Sequence, residues 1–174
     1  TSSGRMPTDK GYRLFVDKVL EKRSTYESFN QGFWKDLDIT DTIKFVQSLT
    51  KNLAELSSNL ALSYLPEEKI LWKEGWETLL REPEFREERF ILNFTQFLKN
   101  LQEHIEDLEV NSEIKIYIGR ENPFPKIRDF SIICARCHFP KGEEGIISIL
   151  GPKRMAYDKN ISLINSLTKL LEGF

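Results

Sequence analysis

The spacing of apolar residues changes along this chain and then changes back, and that alternation limits the folds open to it. Ile43, Val46, Leu49, Leu53, Leu56 and Leu60 recur at steps of three and four, which predicts one helical stripe. Thr40 or Asp41 can cap that helix, and it is expected to end near Leu62, before Pro66. Phe90, Ile91, Phe94, Phe97, Leu98, Leu101, Ile105 and Leu108 give a second, wider apolar face over roughly Phe85 to Leu108. After Asn111 the period shortens. Ile114, Ile116 and Ile118 alternate with Lys115 and Tyr117, and Phe130 to Phe139 and Gly145 to Leu150 are two further β-type runs. Pro140-Lys-Gly-Glu-Glu-Gly145 between them is hairpin chemistry, and helical spacing returns from about Tyr157 through Ile161, Ile164, Leu167, Leu170 and Leu171.

This order predicts an α+β fold: a small antiparallel sheet of about three to four strands with helices packed on one face. Shorter elements fill in the rest. Tyr12, Phe15, Val16, Val19 and Leu20 predict an amphipathic helix from about Thr8 to Lys22, with Pro7 at its first turn. Ser24 to Thr40 reads as a linker whose Phe29, Phe33 and Trp34 act as anchors, expected to dock the first helix. Ile70 to Lys73 suits an edge strand, and Gly75 opens a helical turn that Pro83 interrupts.

Composition excludes several classes. With 174 residues, 40% of them hydrophobic, and 12 Phe and 3 Trp, the chain can bury one substantial core. A formal charge of −2, from 25 basic and 27 acidic residues interspersed along the sequence, gives no long-range attraction to nucleic acid or an anionic membrane. No run of eighteen apolar residues and no signal-peptide pattern occurs, so a cytoplasmic location is expected. G-x-S-x-G, H-E-x-x-H, Walker A and Rossmann glycine patterns are all missing, and 2 histidines leave little scope for acid–base work, so no enzymatic role is expected.

Cys134-Ala-Arg-Cys137-His138 fits the C-x-x-C-H pattern of covalent haem attachment. It lies inside a strand run, however, where residues three apart point to opposite faces, and the only other histidine is His104 on a helix. Buried, reduced thiols are expected, with no metal and no cofactor.

Four separated patches carry a resemblance. Ser2-Ser-Gly-Arg-Met-Pro-Thr-Asp-Lys-Gly-Tyr-Arg13, Leu79-Leu-Arg-Glu-Pro-Glu-Phe85, Ile116-Tyr-Ile-Gly-Arg-Glu-Asn122 and Gly151-Pro-Lys-Arg-Met-Ala-Tyr157 occur in an order that resembles the HrcA family of heat-inducible transcription repressors. The resemblance implies a division into residues 1–23 (the end of a winged-helix wing and a linker helix), 24–40 (a linker) and 41–174 (a GAF-like regulatory domain). The chain opens on Thr, as a processed or cloned fragment would, and most of the DNA-reading head would precede it. Only Ser63 to Glu74 is available where the family carries further strands and an inserted dimerisation segment, so a shortened domain is expected.

The resemblance also implies partners: an inverted-repeat operator bound through the preceding domain, a GroEL-type chaperonin as co-repressor, a homodimer, and no membrane. Arg5 would contact a phosphate at the foot of the wing, with Lys10 and Arg13 adding to that footprint or serving as solvated surface charge. Gly151-Pro152 is expected to end a strand with a turn that uses glycine's freedom. Glu121 and Arg154 follow two different strands with opposite charge, and are expected to pair and clamp the sheet to the last helix. The alternative function is a stand-alone protein-interaction or small-ligand sensor domain without DNA binding.

Overall fold

In a computed structural model of the chain, residues 5–22, 31–34, 36–108, 114–124 and 128–174 are described. Five helices accompany five strands among them: α1 (Asp9–Glu21), α2 (Thr42–Ser57), β1 (Leu60–Leu65), β2 (Ile70–Glu74), α3 (Trp76–Leu79), α4 (Glu88–His104), β3 (Lys115–Ile118), β4 (Phe130–His138), β5 (Glu144–Pro152) and α5 (Tyr157–Leu171). The strands form one antiparallel sheet in the order β2-β1-β5-β4-β3. The α+β class is therefore as expected, with one more strand than the upper end of the expected range.

The additional strand is β1, which sequence periodicity assigned to the end of α2. Asp41 caps α2 through the Lys44 amide, and the helix stops at Ser57 because Ser58 turns left-handed at φ 55°. Leu60 to Leu65 then runs as a strand with every residue buried. Leu60, Leu62 and Tyr64 face one side, and Ala61 and Leu65 the other. A strand covered on both faces shows no polar alternation, so Leu56 and Leu60 could pass for one helical stripe. The overlooked signal is the break Ser57-Ser58-Asn59, three short polar residues that compete for backbone hydrogen bonds.

Helices cover both faces of the sheet, not one. On one side α1, α2 and α5 bury Val16, Phe45, Leu49, Leu53, Ile161, Ile164 and Leu167 against Ala61, Ile133, Ile147 and Ile149. On the other, α3 and α4 bury Leu79, Phe94, Phe97 and Leu101 against Leu62, Ile132, Cys134 and Leu150. The mostly apolar texture of β4 and β5, with residues of both faces buried along most of each strand, is the physical reason, since both sets of alternate residues must leave water.

Ordinary chemistry settles the smaller elements. Thr8 caps α1 by accepting from the Gly11 amide at 3.2 Å. Inside the α2 face the Thr50 hydroxyl donates to the Val46 carbonyl at 2.6 Å and accepts from Ser63 at 2.7 Å, which satisfies two buried hydroxyls together. Gly151 lies within β5, and its need for glycine is close approach and not a turn: a Cβ there would sit 2.1 Å from Asn59 Oδ1. Trp34 is buried in the α2 face as an anchor should be, whereas Phe29 and the side chain of Phe33 lie outside the described residues.

Candidate functional site

Four stretches of chain meet at one end of the sheet, beneath the first turns of α1. Asp9, in the first turn, carries a carboxylate that accepts from Lys153 Nζ at 2.7 Å and from the Arg120 amide at 3.1 Å. Burial alone would raise its pKa, but the Lys153 ammonium and the Arg120 amide outweigh that and hold it below the ordinary 3.8. One turn on, Arg13 donates from Nε to Glu121 Oε1 at 3.0 Å, reaches the second carboxylate oxygen through its terminal nitrogen, and donates from the same nitrogen to the Ile116 carbonyl at 2.7 Å. Hydrogen bonding to Glu121 raises the Arg13 pKa further, so this cation stays charged at any working pH.

The floor of the site is built to receive these groups. Gly119 adopts φ 53°, and a Cβ there would lie 2.6 Å from an Asp9 carboxylate oxygen, so only glycine lets the helix start come this close. Glu121 also accepts from the Ile118 amide at 3.0 Å, and Asn122 donates to the carbonyls of Gly119 at 2.8 Å and Phe130 at 3.1 Å. Tyr157, at the start of α5, donates to the Lys153 carbonyl at 2.7 Å; its one proton is thus used, and Ser131 donates to it at 2.7 Å. Burial pushes the Tyr157 pKa well up. Above it the Tyr12 ring packs at 5.9 Å between centroids.

The expected Glu121–Arg154 clamp is not made. Both residues stand at the same end of the sheet, but β4 separates β3 from β5, which puts them two strand spacings, about 10 Å, apart. Helix α1 bridges that gap instead, with Asp9 answering the β5 side and Arg13 the β3 side. Arg154 turns to the other face and pairs with Glu82 and, at 2.8 Å, Glu84. Arg13 is accordingly a docking residue, its guanidinium taken up by Glu121, Ile116 and, at 3.5 Å, Asp17, and so removed from the expected phosphate footprint. Arg5 and Lys10 are exposed. The docking contacts of α1 are also revised: Val16 and Val19 are buried and Tyr12 partly so, while Phe15 is 49% exposed.

An open groove of about 1060 Å³ runs beside the junction, lined by Lys10, Arg13, Arg120, Arg128 and Lys153 together with Asp9, Asp17, Glu121 and Asp129. Charges of both signs line it. Elsewhere, Cys134 and Cys137 point to opposite faces of β4 and are buried, while His138 is exposed, so the two sulfurs cannot address one iron or zinc centre. Burial drives the Cys134 thiol up to about 12 and Cys137 further in the same direction.

The four patches that carried the resemblance are thus linked: Asp9 and Arg13 of 2–13 meet 116–122 and 151–157, and 151–157 in turn meets 79–85 through Arg154. Residues 15–161 match the family model described as the HrcA protein C terminal domain. The chain belongs to the HrcA family. Heat-inducible transcription repressors HrcA from Natranaerobius thermophilus and Lachnoclostridium phytofermentans are 28% and 27% identical to it over 91% and 92% of the chain, covering 43% and 48% of their own lengths. HrcA from Dehalococcoides mccartyi is 32% identical over 56% of the chain and 29% of its own length. The chain spans less than half the length of these curated relatives. A crystal structure described as that of a hypothetical protein shares the fold, with a TM-score of 0.80 at 17% identity, over 99% of this chain and 80% of that one. Among the described residues no helix is long and apolar enough to cross a membrane.

Proposed function

We propose that this chain is the regulatory part of a heat-shock transcription repressor which, when intact, holds an inverted-repeat operator upstream of chaperone genes, with a GroEL-type chaperonin as co-repressor. The observation that carries this reading is the convergence of three of the four family patches on the docking site of α1, with the fourth joined to it through Arg154. In the HrcA division of the chain, residues 1–23 join the DNA-reading head to the domain of residues 41–174, so whatever fixes α1 fixes the head. Arg5 and Lys10, exposed before and within the first turn, are the residues available to touch operator phosphates.

Control of this kind needs no catalytic step. A partner that binds only the folded, α1-docked state stabilises it by RT ln(1 + [L]/Kd), about 2.7 kcal/mol at a hundredfold excess over Kd. When unfolded proteins occupy that partner, the docked state loses its support and the operator is released. The α1 contacts suit such a balance because they join a small apolar set, Val16 and Val19, to partly exposed ion pairs at Asp9 and Arg13. The test is a gel shift of the intact repressor on a chaperone-gene promoter, with and without chaperonin. Operator binding that strengthens with chaperonin and weakens when Asp9 and Arg13 are replaced supports the reading; an intact protein that leaves that promoter unbound under both conditions overturns it.

A further inference from the structure

The groove beside the α1 junction holds cations that the junction itself does not use. Its lining carries five cations and four carboxylates. Lys153 is taken up by Asp9, and Arg13 by Glu121 and Asp17, so three of the four carboxylates are already answered. Lys10, Arg120 and Arg128 also line the groove and make no ion pair among the described residues; Arg120 attracts Asp9 through space without closing on it. Asp129 is the single carboxylate of the lining left to oppose them.

Donor chemistry and size narrow the ligand. Two guanidiniums bring five N–H donors each in a planar fork, more than the two oxygens of one carboxylate use and well matched to the oxygens of a phosphate chain. The volume of about 1060 Å³ is far more than a bare ion fills and lies at the upper end of the roughly 300–1,000 Å³ typical of small-molecule sites. One wall is apolar: Leu14 lines the groove and is 60% exposed. We infer that the groove takes a nucleotide-like phosphate ester, with its phosphates on Arg120 and Arg128 and its organic part on Leu14. Arg120 follows β3 and Arg128 precedes β4, whereas Leu14 belongs to α1, so this ligand touches sheet and helix at once and favours the docked arrangement over the released one.

The inference deepens the repressor reading and rests on it for its purpose, since a ligand that fixes α1 also fixes the head. Titration calorimetry of the 174-residue chain with ADP and with pyrophosphate tests it without DNA. ADP is expected to bind with a Kd below about 1 mM. It should bind at least about threefold more tightly than pyrophosphate, which has the phosphate chain but nothing to cover Leu14. The variant R120Q/R128Q, whose fold is checked by thermal unfolding, is expected to weaken both at least about tenfold, and L14Q to remove the advantage of ADP. K99Q/K169Q, which takes the same charge from α4 and α5, is expected to change neither. Binding of neither anion up to about 5 mM, binding indifferent to R120Q/R128Q, an equal loss in K99Q/K169Q, or a short DNA duplex held by the two arginines in place of ADP would overturn the inference. If ADP binds on these residues while the intact protein leaves a chaperone-gene promoter unbound, the repressor reading fails alone; if the intact protein shifts that promoter while this chain takes neither anion, the ligand site fails alone.

Discussion

Arg13 and Glu121, 108 positions apart, form a two-pronged contact in which Glu121 is also held by the Ile118 amide, so the carboxylate is fixed before the arginine arrives. Geometry of this kind raises an ion pair above the usual surface value, because less side-chain freedom is lost when it forms. Arg13→Met and Glu121→Gln are each expected to lower stability by about 1 kcal/mol, with a coupling energy of about 0.5–1 kcal/mol in the double-mutant cycle. Thermal or urea unfolding of the four proteins measures it. A coupling of zero would mean that the pair only decorates the junction.

Asp9 gives the junction an acid limit. Its folded pKa lies below the unfolded value near 3.8, so its contribution is fully present above that value and disappears as pH falls through the folded pKa. Asp9→Asn should therefore destabilise the chain by a constant amount at pH 6–8, and the difference from wild type should shrink below about pH 4. Unfolding measured across that range decides the sign. A gap that widens in acid would contradict the assignment.

Much of this junction was legible in the sequence, though not its wiring. The helix start near Thr8, the strand end at Ile118 and the helix start at Tyr157 follow from local chemistry, and the patches 116–122 and 151–157 stand out as motifs. Which charge meets which is set by sheet order, a non-local property. Glu121 and Arg154 look like partners only if β3 and β5 are neighbours; with β4 between them, Arg13 from the other end of the chain answers Glu121, while Glu82 and Glu84 answer Arg154. The same blindness hid β1, because residues buried on both faces carry no alternation to read. Phe15 shows the converse: helical spacing put it on the docked face, while the position of Val16 and Val19 turns it outward.

Gly151 tests close approach inside the sheet. Gly151→Ala drives a methyl into the Asn59 side chain, which is itself tied down by a 2.8 Å bond to the Ser57 carbonyl. A loss of about 1–3 kcal/mol is expected. Adding Asn59→Ala should recover part of it, since the clash leaves with the amide. No recovery would locate the constraint in the β5 backbone instead of in this pair.

Cys134 and Cys137 provide a readout of sheet opening. Both thiols are buried, on opposite faces, and burial pushes Cys134 up to about 12, so little thiolate exists at neutral pH for a disulfide reagent to trap. Labelling of the native chain is expected to be slow and limited by opening, with both thiols reacting at once in denaturant. Because Cys137 packs on the side shared by α1, α2 and α5, and Cys134 on the side of α3 and α4, the two should respond differently to the junction variants. Glu121→Gln, which loosens α1, is expected to speed Cys137 labelling several-fold more than that of Cys134. Equal acceleration of both would mean that the junction opens only with the whole sheet, and that α1 has no separate docked and released states to couple to an operator.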